Sequence, residues 1–247
     1  MNKLSVVGIG PGAEGEMTLR AMKALNDAQV IVGYGVYNDL IRPLFPDKEY
    51  LETPMRRETE RCRMAIEAAL SGRRVAMICS GDAGVYGMAG LILELAAGHE
   101  VLDIEIVPGV TAALSGAARL GAPLGHDFAV ISLSDLLTPW EKIEKRLELA
   151  AQADLCVAIY NPSSTKRADY LQRACDILLR HCAPETVCGA VRNIAREGEE
   201  KRVMTLLELR DFKADMFTTV FVGNSQTREI DGWMVTPRGY RHLGSAD

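Results

Sequence analysis

The residues whose types and spacing suit chemistry stand where apolar runs end. Val75 to Cys79 is an uninterrupted apolar run that gives way to Ser80-Gly81-Asp82-Ala83-Gly84 and then to a helix of small, apolar residues. Such a run marks a strand buried on both faces, and ligands of open α/β sheets sit beyond the carboxyl ends of strands. The polar turn is therefore either plain connection or the wall of a site. The pattern recurs. Leu4 to Ile9 runs into Gly8-Ile9-Gly10-Pro11-Gly12, Gln29 to Val32 into Gly33-Tyr34-Gly35-Val36-Tyr37, and Ile104 to Val107 into Pro108-Gly109-Val110-Thr111. Leu155 to Tyr160 ends at Asn161-Pro162.

The first glycine loop invites a dinucleotide, and two details oppose that. The strand Gln29 to Val32 ends without the acidic residue that holds a ribose hydroxyl, and Pro11 removes a backbone donor where pyrophosphate needs one. No Gly-Lys-Ser/Thr follows for a Walker loop. Arg56, Arg57, Arg61, Arg63, Arg73 and Arg74 form a basic cluster interleaved with Glu58 and Glu60. Most of it reads as a solvated helix face with i,i+4 pairs, while Arg56 and Arg57, ahead of the helix, have the fork that clamps carboxylates. His126-Asp127 is either a general acid/base pair or a turn held by the Asp side chain. His99, His181 and His242 lack ligand-type neighbours and read as surface residues. No Gly-x-Ser-x-Gly or His-Glu-x-x-His is present, so serine-hydrolase and zinc-peptidase chemistry have no support.

Composition narrows the class. The 247 residues are 48% hydrophobic and 25% charged, as in an ordinary globular protein large enough for one or two domains. A net charge of −5 argues against nucleic acid as the main partner. No apolar stretch is long enough to cross a bilayer, and the first residues lack a signal-peptide pattern, so a cytoplasmic location is expected. The six cysteines (Cys62, Cys79, Cys156, Cys175, Cys182, Cys188) form no Cys-x-x-Cys pair, and Cys79, Cys156 and Cys188 lie in apolar runs as small hydrophobes. No resident metal is expected.

The elements that position these loops follow from periodicity. Thr18 is placed to cap a helix through Asn26, and a basic amphipathic helix covers Arg57 to Leu70. Ala112 to Leu120 reads as a small-residue helix stopped by Gly121. The turn-rich Gly121 to Asp127 segment is the expected domain boundary, dividing residues 1–120 from 121–247. Phe128 to Leu133 is then a strand, and Thr138-Pro139-Trp140-Glu141 predicts a helix start with a Thr138–Glu141 capping box. Ala168 to Leu179 is a helix. Val187 to Val191, Met216 to Gly223 and Trp233 to Thr236 are late strands that suggest antiparallel closure. The expected class is α/β, with two α/β domains.

Taken in order, these motifs resemble the tetrapyrrole (corrin/porphyrin) methyltransferase family. Those that carry the resemblance are Val6-Val7-Gly8-Ile9-Gly10-Pro11-Gly12, Ser80 to Tyr86, Val107-Pro108-Gly109-Val110-Thr111-Ala112 and Tyr160-Asn161-Pro162. Gly121 to Phe128, Ser132 to Trp140 and Thr236 to Tyr240 are similar to the branch that methylates C17 of precorrin-3B, or of its cobalt-containing counterpart, and contracts the macrocycle. Tyr34 to Ile41 and Arg57 to Cys62 look closer to the cobalt-first route. The resemblance implies S-adenosylmethionine held in a cleft between two domains, in a homodimer. It implies cofactor contacts from Pro11, Ser80, Gly81, Asp82, Val85, Thr111, Ala112, Asn161, Ala190 and Thr236, although many relatives carry a bulky apolar residue at the position of Asn161. A tetrapyrrole with several carboxylates would meet Arg56, Arg57 and Arg238, with Tyr34 and Tyr37 against its face. His126, Ser132 and Asp135 are candidates for the proton or acyl transfer of ring contraction. The rival readings are a sister methyltransferase acting at another macrocycle carbon and a non-catalytic tetrapyrrole carrier.

Overall fold

The computed structural model describes residues 2–164 and 167–240, so His242 lies outside the described residues. The chain forms two compact units, residues 1–112 and 113–247.

The first unit comprises β1 (Asn2–Gly8), α1 (Leu19–Asp27), β2 (Val30–Tyr34), α2 (Gly35–Ile41), β3 (Glu49–Thr53), α3 (Glu58–Leu70), β4 (Val75–Cys79), α4 (Ala89–Leu95) and β5 (Leu102–Val107). The strands form one parallel sheet in the order β3-β2-β4-β1-β5. Side chains alternate between two cores. Leu4, Val6, Val30, Val32, Met77 and Cys79 face α3 and α4, while Val7, Ile31, Ala76 and Ile78 face α1 and α2. Burial on both faces is why β1, β2 and β4 read as continuous apolar runs. Thr18 caps α1 as its spacing predicts, its hydroxyl accepting from the Ala21 N–H at 3.0 Å. The short helix α2 and the edge strand β3 were not evident from the sequence. β3 exposes Glu49 and Glu52, and a half-solvated edge strand carries too few apolar residues to show a period.

The second unit contains α5 (Ala112–Leu120), which begins at the boundary residue, followed by β6 (Gly121–Ala122), β7 (Phe128–Ser132), α6 (Trp140–Gln152), β8 (Cys156–Tyr160) and α7 (Tyr170–Leu178). It closes with β9 (Val187–Arg192), β10 (Glu200–Thr205), α8 (Leu206–Asp211), β11 (Thr218–Val222), β12 (Arg228–Ile230) and β13 (Trp233–Val235). Its main sheet runs β10-β9-β11-β8-β7, with β7 parallel to β8 and the remaining pairs antiparallel, as the late strands suggested. A small sheet joins β12, β13 and β6. Helix α5 packs on the main sheet of this unit. A Cβ added at Gly116 would lie 2.8 Å from the ring of Phe221, and Leu120 covers Gly189. The compact units therefore part eight residues before Gly121, the boundary that turn composition marks.

One local expectation is corrected. Pro139 is the N-cap of α6 with extended backbone, ψ 143°, and no side chain caps that helix. The helix starts one residue later than the spacing assumed, so Glu141 stands at the second helical position and cannot return to Thr138. The reciprocal box forms instead at α8, between Thr205 and Glu208.

All six cysteines are free thiols, and all but Cys182 are buried. Burial pushes Cys62 and Cys175 up to about 12 and Cys79 up to about 11, so none of these three is a thiolate at neutral pH. Among the described residues no helix is long and apolar enough to cross a membrane, and no group of three or more His, Cys, Asp or Glu is placed to hold a metal ion.

Phe221 is fully buried in the second unit. Phe221→Ala is expected to cost about 3–5 kcal/mol, seen as a lower urea midpoint with little change in slope. A cost under about 1 kcal/mol would show that the ring does not key α5 to its sheet.

Candidate active site

The carboxyl end of the first sheet is built by three loops in backbone contact. The loop after β1 and the loop after β4 are zipped together: the Gly10 N–H donates to the Gly81 carbonyl at 3.0 Å, and the Gly81 N–H returns to the Gly10 carbonyl at 2.7 Å. Gly8 and Gly109 close the third side. A Cβ on Gly8 would lie 2.6 Å from the Gly109 nitrogen, and one on Gly109 would strike the Gly81 carbonyl. These positions need glycine because backbone occupies the space of a side chain.

Asp82 locks this arrangement. Its Oδ1 accepts from the Gly84 and Val85 N–H groups at 2.7 and 2.9 Å, and its Oδ2 accepts from the Gly109 N–H at 3.0 Å. Burial opposes its ionisation, but bonds from the backbone N–H groups of Gly109, Gly84, Val85 and Ala83 outweigh burial and hold the carboxyl below its ordinary value. The carboxylate is thus first an organiser of loops. Thr111 and Ala112 lie beside Gly81, with the Thr111 Cα 3.5 Å from a Cβ built there, so Gly81, Asp82, Thr111 and Ala112 stand together. Pro11 is buried and Ser80 half-buried next to them, while Val85 and Tyr86 present apolar surface to solvent.

Farther along the same sheet end, Tyr34 and Tyr37 meet edge to face, their ring centroids 5.4 Å apart. Arg56 and Arg57 occupy the exposed turn between β3 and α3. Arg57 pairs with Glu60 at 3.5 Å, and the Arg56 backbone N–H donates to Glu58. Arg61, read in the sequence as part of the solvated face, is instead buried among Cys62, Ala65, Ile66 and Ala69. Its register with that apolar stripe was the available signal.

In the second unit the strand ends of β7 and β8 carry a polar network. The Asn161 amide, on a residue with φ 53°, donates to Ser132 Oγ at 2.9 Å. Asp135 accepts from the Tyr170 hydroxyl at 2.6 Å and from Arg167 at 3.2 Å, and Arg167 also reaches Ser134 at 2.8 Å. The Tyr170 bond, with Arg167 beside it, holds the Asp135 carboxyl below its usual range and raises the Tyr170 hydroxyl. At neutral pH Asp135 is an acceptor with no proton to give. Ser132 Oγ accepts from the Asn161 amide and the Ser134 N–H and meets no general base among the described residues, so it is suited to donate a hydrogen bond rather than to attack. Arg167 and Tyr170 were missed by the sequence reading, since both lie more than thirty residues from the carboxylate they hold.

His126 does not join this network. It is exposed before the start of β7, whereas Ser132 ends that strand, and β7 alone sets its first and last residues about 13 Å apart at ~3.3 Å per residue. Thr236 is buried, its hydroxyl bonded to the Pro123 carbonyl at 2.6 Å and to Thr227 at 2.8 Å, beside Cys156 at the start of β8. Asn161 follows the opposite end of β8. Ala190, in β9, is buried opposite Val220 of β11. Arg238 is exposed and donates to the Gly125 carbonyl at 3.2 Å.

Because the Asp82 pKa is depressed on folding, its stabilisation is fully present above the unfolded value of about 3.9 and is lost as pH falls through the folded value. The unfolding temperature of the natural protein relative to Asp82→Asn is therefore expected to narrow below about pH 4. Parallel curves from pH 7 to pH 3 would remove the carboxylate from its locking role.

Comparison with known proteins agrees with this architecture. Residues 3–210 match the family described as Tetrapyrrole (Corrin/Porphyrin) Methylases. The chain is 49% identical over 239 residues to a probable cobalt-factor III C(17)-methyltransferase of Salmonella typhimurium, covering 96% of this chain and 99% of that one. It is 42% identical over 247 residues to a precorrin-3B C(17)-methyltransferase of Sinorhizobium sp, covering 96% of each. The crystal structure of the methyltransferase CobJ superposes with a TM-score of 0.88 at 40% identity, covering 95% of this chain and 99% of that one. With a family match over most of its length and relatives aligned nearly end to end, the chain belongs to the tetrapyrrole (corrin/porphyrin) methylases.

Proposed function

We propose that the chain transfers a methyl group from S-adenosylmethionine to C17 of a precorrin-3B or cobalt-precorrin-3 type tetrapyrrole, with contraction of the macrocycle, in cobalamin biosynthesis. The carrying observation is the 49% identity to the Salmonella protein named for this position, aligned over nearly the full length of both chains. The interlocked glycine loops, the ionised Asp82 and the exposed apolar Val85 and Tyr86 suit a cofactor with hydroxyls, a positive centre and a flat apolar ring. The bound cofactor supplies an activated methyl on a sulfonium, so the protein needs no covalent nucleophile and works by alignment and exclusion of water.

In the first unit, Gly81, Thr111 and Ala112 present backbone for the cofactor, with Pro11 and Ser80 behind them, and Asp82 fixes the loops that carry all five. In the second unit, Asn161 and Ala190 provide cofactor contacts, and Thr236 acts by holding the Pro123 to Gly125 turn. Tyr34 and Tyr37 offer an aromatic face to the macrocycle, and Arg56, Arg57 and Arg238 are solvent-accessible partners for its carboxylates. For ring contraction, Ser132 donates a hydrogen bond to a substrate oxygen, while Asp135, held ionised, keeps Arg167 and Tyr170 in place. His126 is left as an exposed group that would act from outside this network. The protein works as a homodimer in the cytoplasm, and the cobalt-loaded substrate is preferred.

Incubation with S-adenosylmethionine and either cobalt-loaded or metal-free precorrin-3 substrate tests this reading. The expected product carries one added methyl at C17 and a contracted ring, formed faster from the cobalt-loaded substrate. Faster turnover of the metal-free substrate would assign the chain to the other branch, a methyl at another carbon would make it a sister enzyme, and pigment binding without methyl transfer would make it a carrier. Asp82→Ala is expected to weaken S-adenosylmethionine binding tenfold or more, about 1.4 kcal/mol, measured by calorimetry. Unchanged affinity would detach the interlocked loops from the cofactor.

A further inference from the structure

The last residues of β3 and β2, Thr53 and Tyr34, are partners in the parallel ladder, and both point to the α3 face of the sheet. Arg61 of α3 reaches over them. Its Nε donates to Thr53 Oγ1 at 3.0 Å, its Nη2 donates to the Pro54 carbonyl at 3.1 Å, and its guanidinium carbon sits 5.8 Å from the centre of the Tyr34 ring. The residue is only 6% exposed. Its arginine neighbours on the same turn and helix are exposed, and Arg57 has found a carboxylate. Arg61 has not: among the described residues no carboxylate lies within ion-pair distance of it.

A guanidinium stays charged at any working pH, and burying a charge without a counter-ion is strongly unfavourable. Of its five N–H groups, the two bonds above engage two, both to neutral oxygens, and leave Nη1 unengaged. The cation stands at the carboxyl end of a parallel sheet, where ligands of such sheets bind. It lies over the ends of β3 and β2, the outer pair of the sheet, with β4 and its Asp82 loop next in the strand order. On the opposite face of the same two strands, Asn38 is fully buried and its Oδ1 has no partner, so polar groups at this corner are left wanting on both faces.

We infer that Arg61, and not the exposed Arg56 or Arg57, is the principal anchor for a carboxylate of the tetrapyrrole substrate, which completes the missing ion pair beside Tyr34. The inference rests on the tetrapyrrole reading above and deepens it: an acidic side chain of the macrocycle docks at the ends of β2 and β3. That leaves the strand ends of β1, β4 and β5 for the cofactor. Arg61 is a binding residue in this account and takes no part in methyl transfer.

The test uses uroporphyrin III, a stable polycarboxylate tetrapyrrole, titrated into the full chain by absorbance, with S-adenosylhomocysteine affinity and unfolding temperature measured alongside. Arg61→Met is expected to weaken uroporphyrin III binding at least tenfold and to leave S-adenosylhomocysteine affinity within about twofold. Its unfolding temperature should be unchanged or raised, since a buried unpaired charge has been removed. Arg61→Lys should recover part of the affinity, because lysine restores the charge without the fork. In turnover of cobalt-precorrin-3, Arg61→Met should raise KM far more than it lowers kcat. Arg56→Ala and Arg57→Ala should each weaken binding less than Arg61→Met.

If uroporphyrin III binds Arg61→Met as tightly as it binds the natural protein, the anchor assignment is wrong. It is equally wrong if both ligands and the unfolding temperature fall together, or if no Arg61 variant folds, for then Arg61 is a brace of the β3–α3 turn. A natural protein that binds S-adenosylhomocysteine and no polycarboxylate tetrapyrrole would overturn the substrate reading itself, and the anchor with it.

Discussion

Three backbones must touch for the rest of the first sheet's carboxyl end to exist. Gly8 ends β1 and Gly81 and Gly109 stand on the loops that follow β4 and β5, and each occupies the place where another's side chain would be. The approach is tight enough for the Asp82 carboxylate to gather N–H groups from its own loop and from the loop after β5. One charged group thereby satisfies donors that the strand ends leave over. Whatever binds at this end meets a surface with little freedom to rearrange, which suits a reaction that needs alignment more than acid or base.

The sequence showed the strands and missed most of the side-chain partnerships. Doubly buried strands such as β4 announce themselves by apolar run, and Thr18 announces a helix by local spacing, because in both cases the cause lies within a few residues. Asp82 could be located but not interpreted, since its partner Gly109 is 27 residues away. The same distance problem hid Arg167 and Tyr170 from Asp135, and separated His126 from Ser132 along a strand only once that strand's direction was known. At α6, a one-residue shift in the helix start turned a plausible capping box into none. Arg61 was legible in principle. An arginine in register with Ala65 and Ala69 breaks the amphipathic rule, and local rules tend to break at functional positions.

Polar groups are distributed very differently in the two sheets. The first sheet ends in backbone, one carboxylate and one buried cation, with bonds running mostly from side chain to main chain. The second ends in a side-chain network, Ser132 with Asn161 and Asp135 with Arg167 and Tyr170, whose members hold one another. Trp140 packs at a tilt against Tyr170, ring centroids 4.5 Å apart, and Arg173 lies over the Trp140 ring at 4.0 Å, so the network rests on an aromatic floor. Mutually satisfied networks of this kind fix rotamers, and an ionised Asp135 is part of what fixes them.

The strand order of the second sheet also governs when it can form on the ribosome. β8 is flanked by β7 and β11, and β9 by β10 and β11, so β11 sits between two strands emitted well before it. Until residues 218–222 emerge, β8 and β9 have no common neighbour, and Cys188, Ala190 and Val157 remain without the strand that joins them. The parallel sheet of the first unit is complete once β5 has been made at residue 107. Synthesis therefore delivers one finished sheet early and leaves the other open, with an apolar edge of β8 unpaired from residue 160 until β11 begins at residue 218.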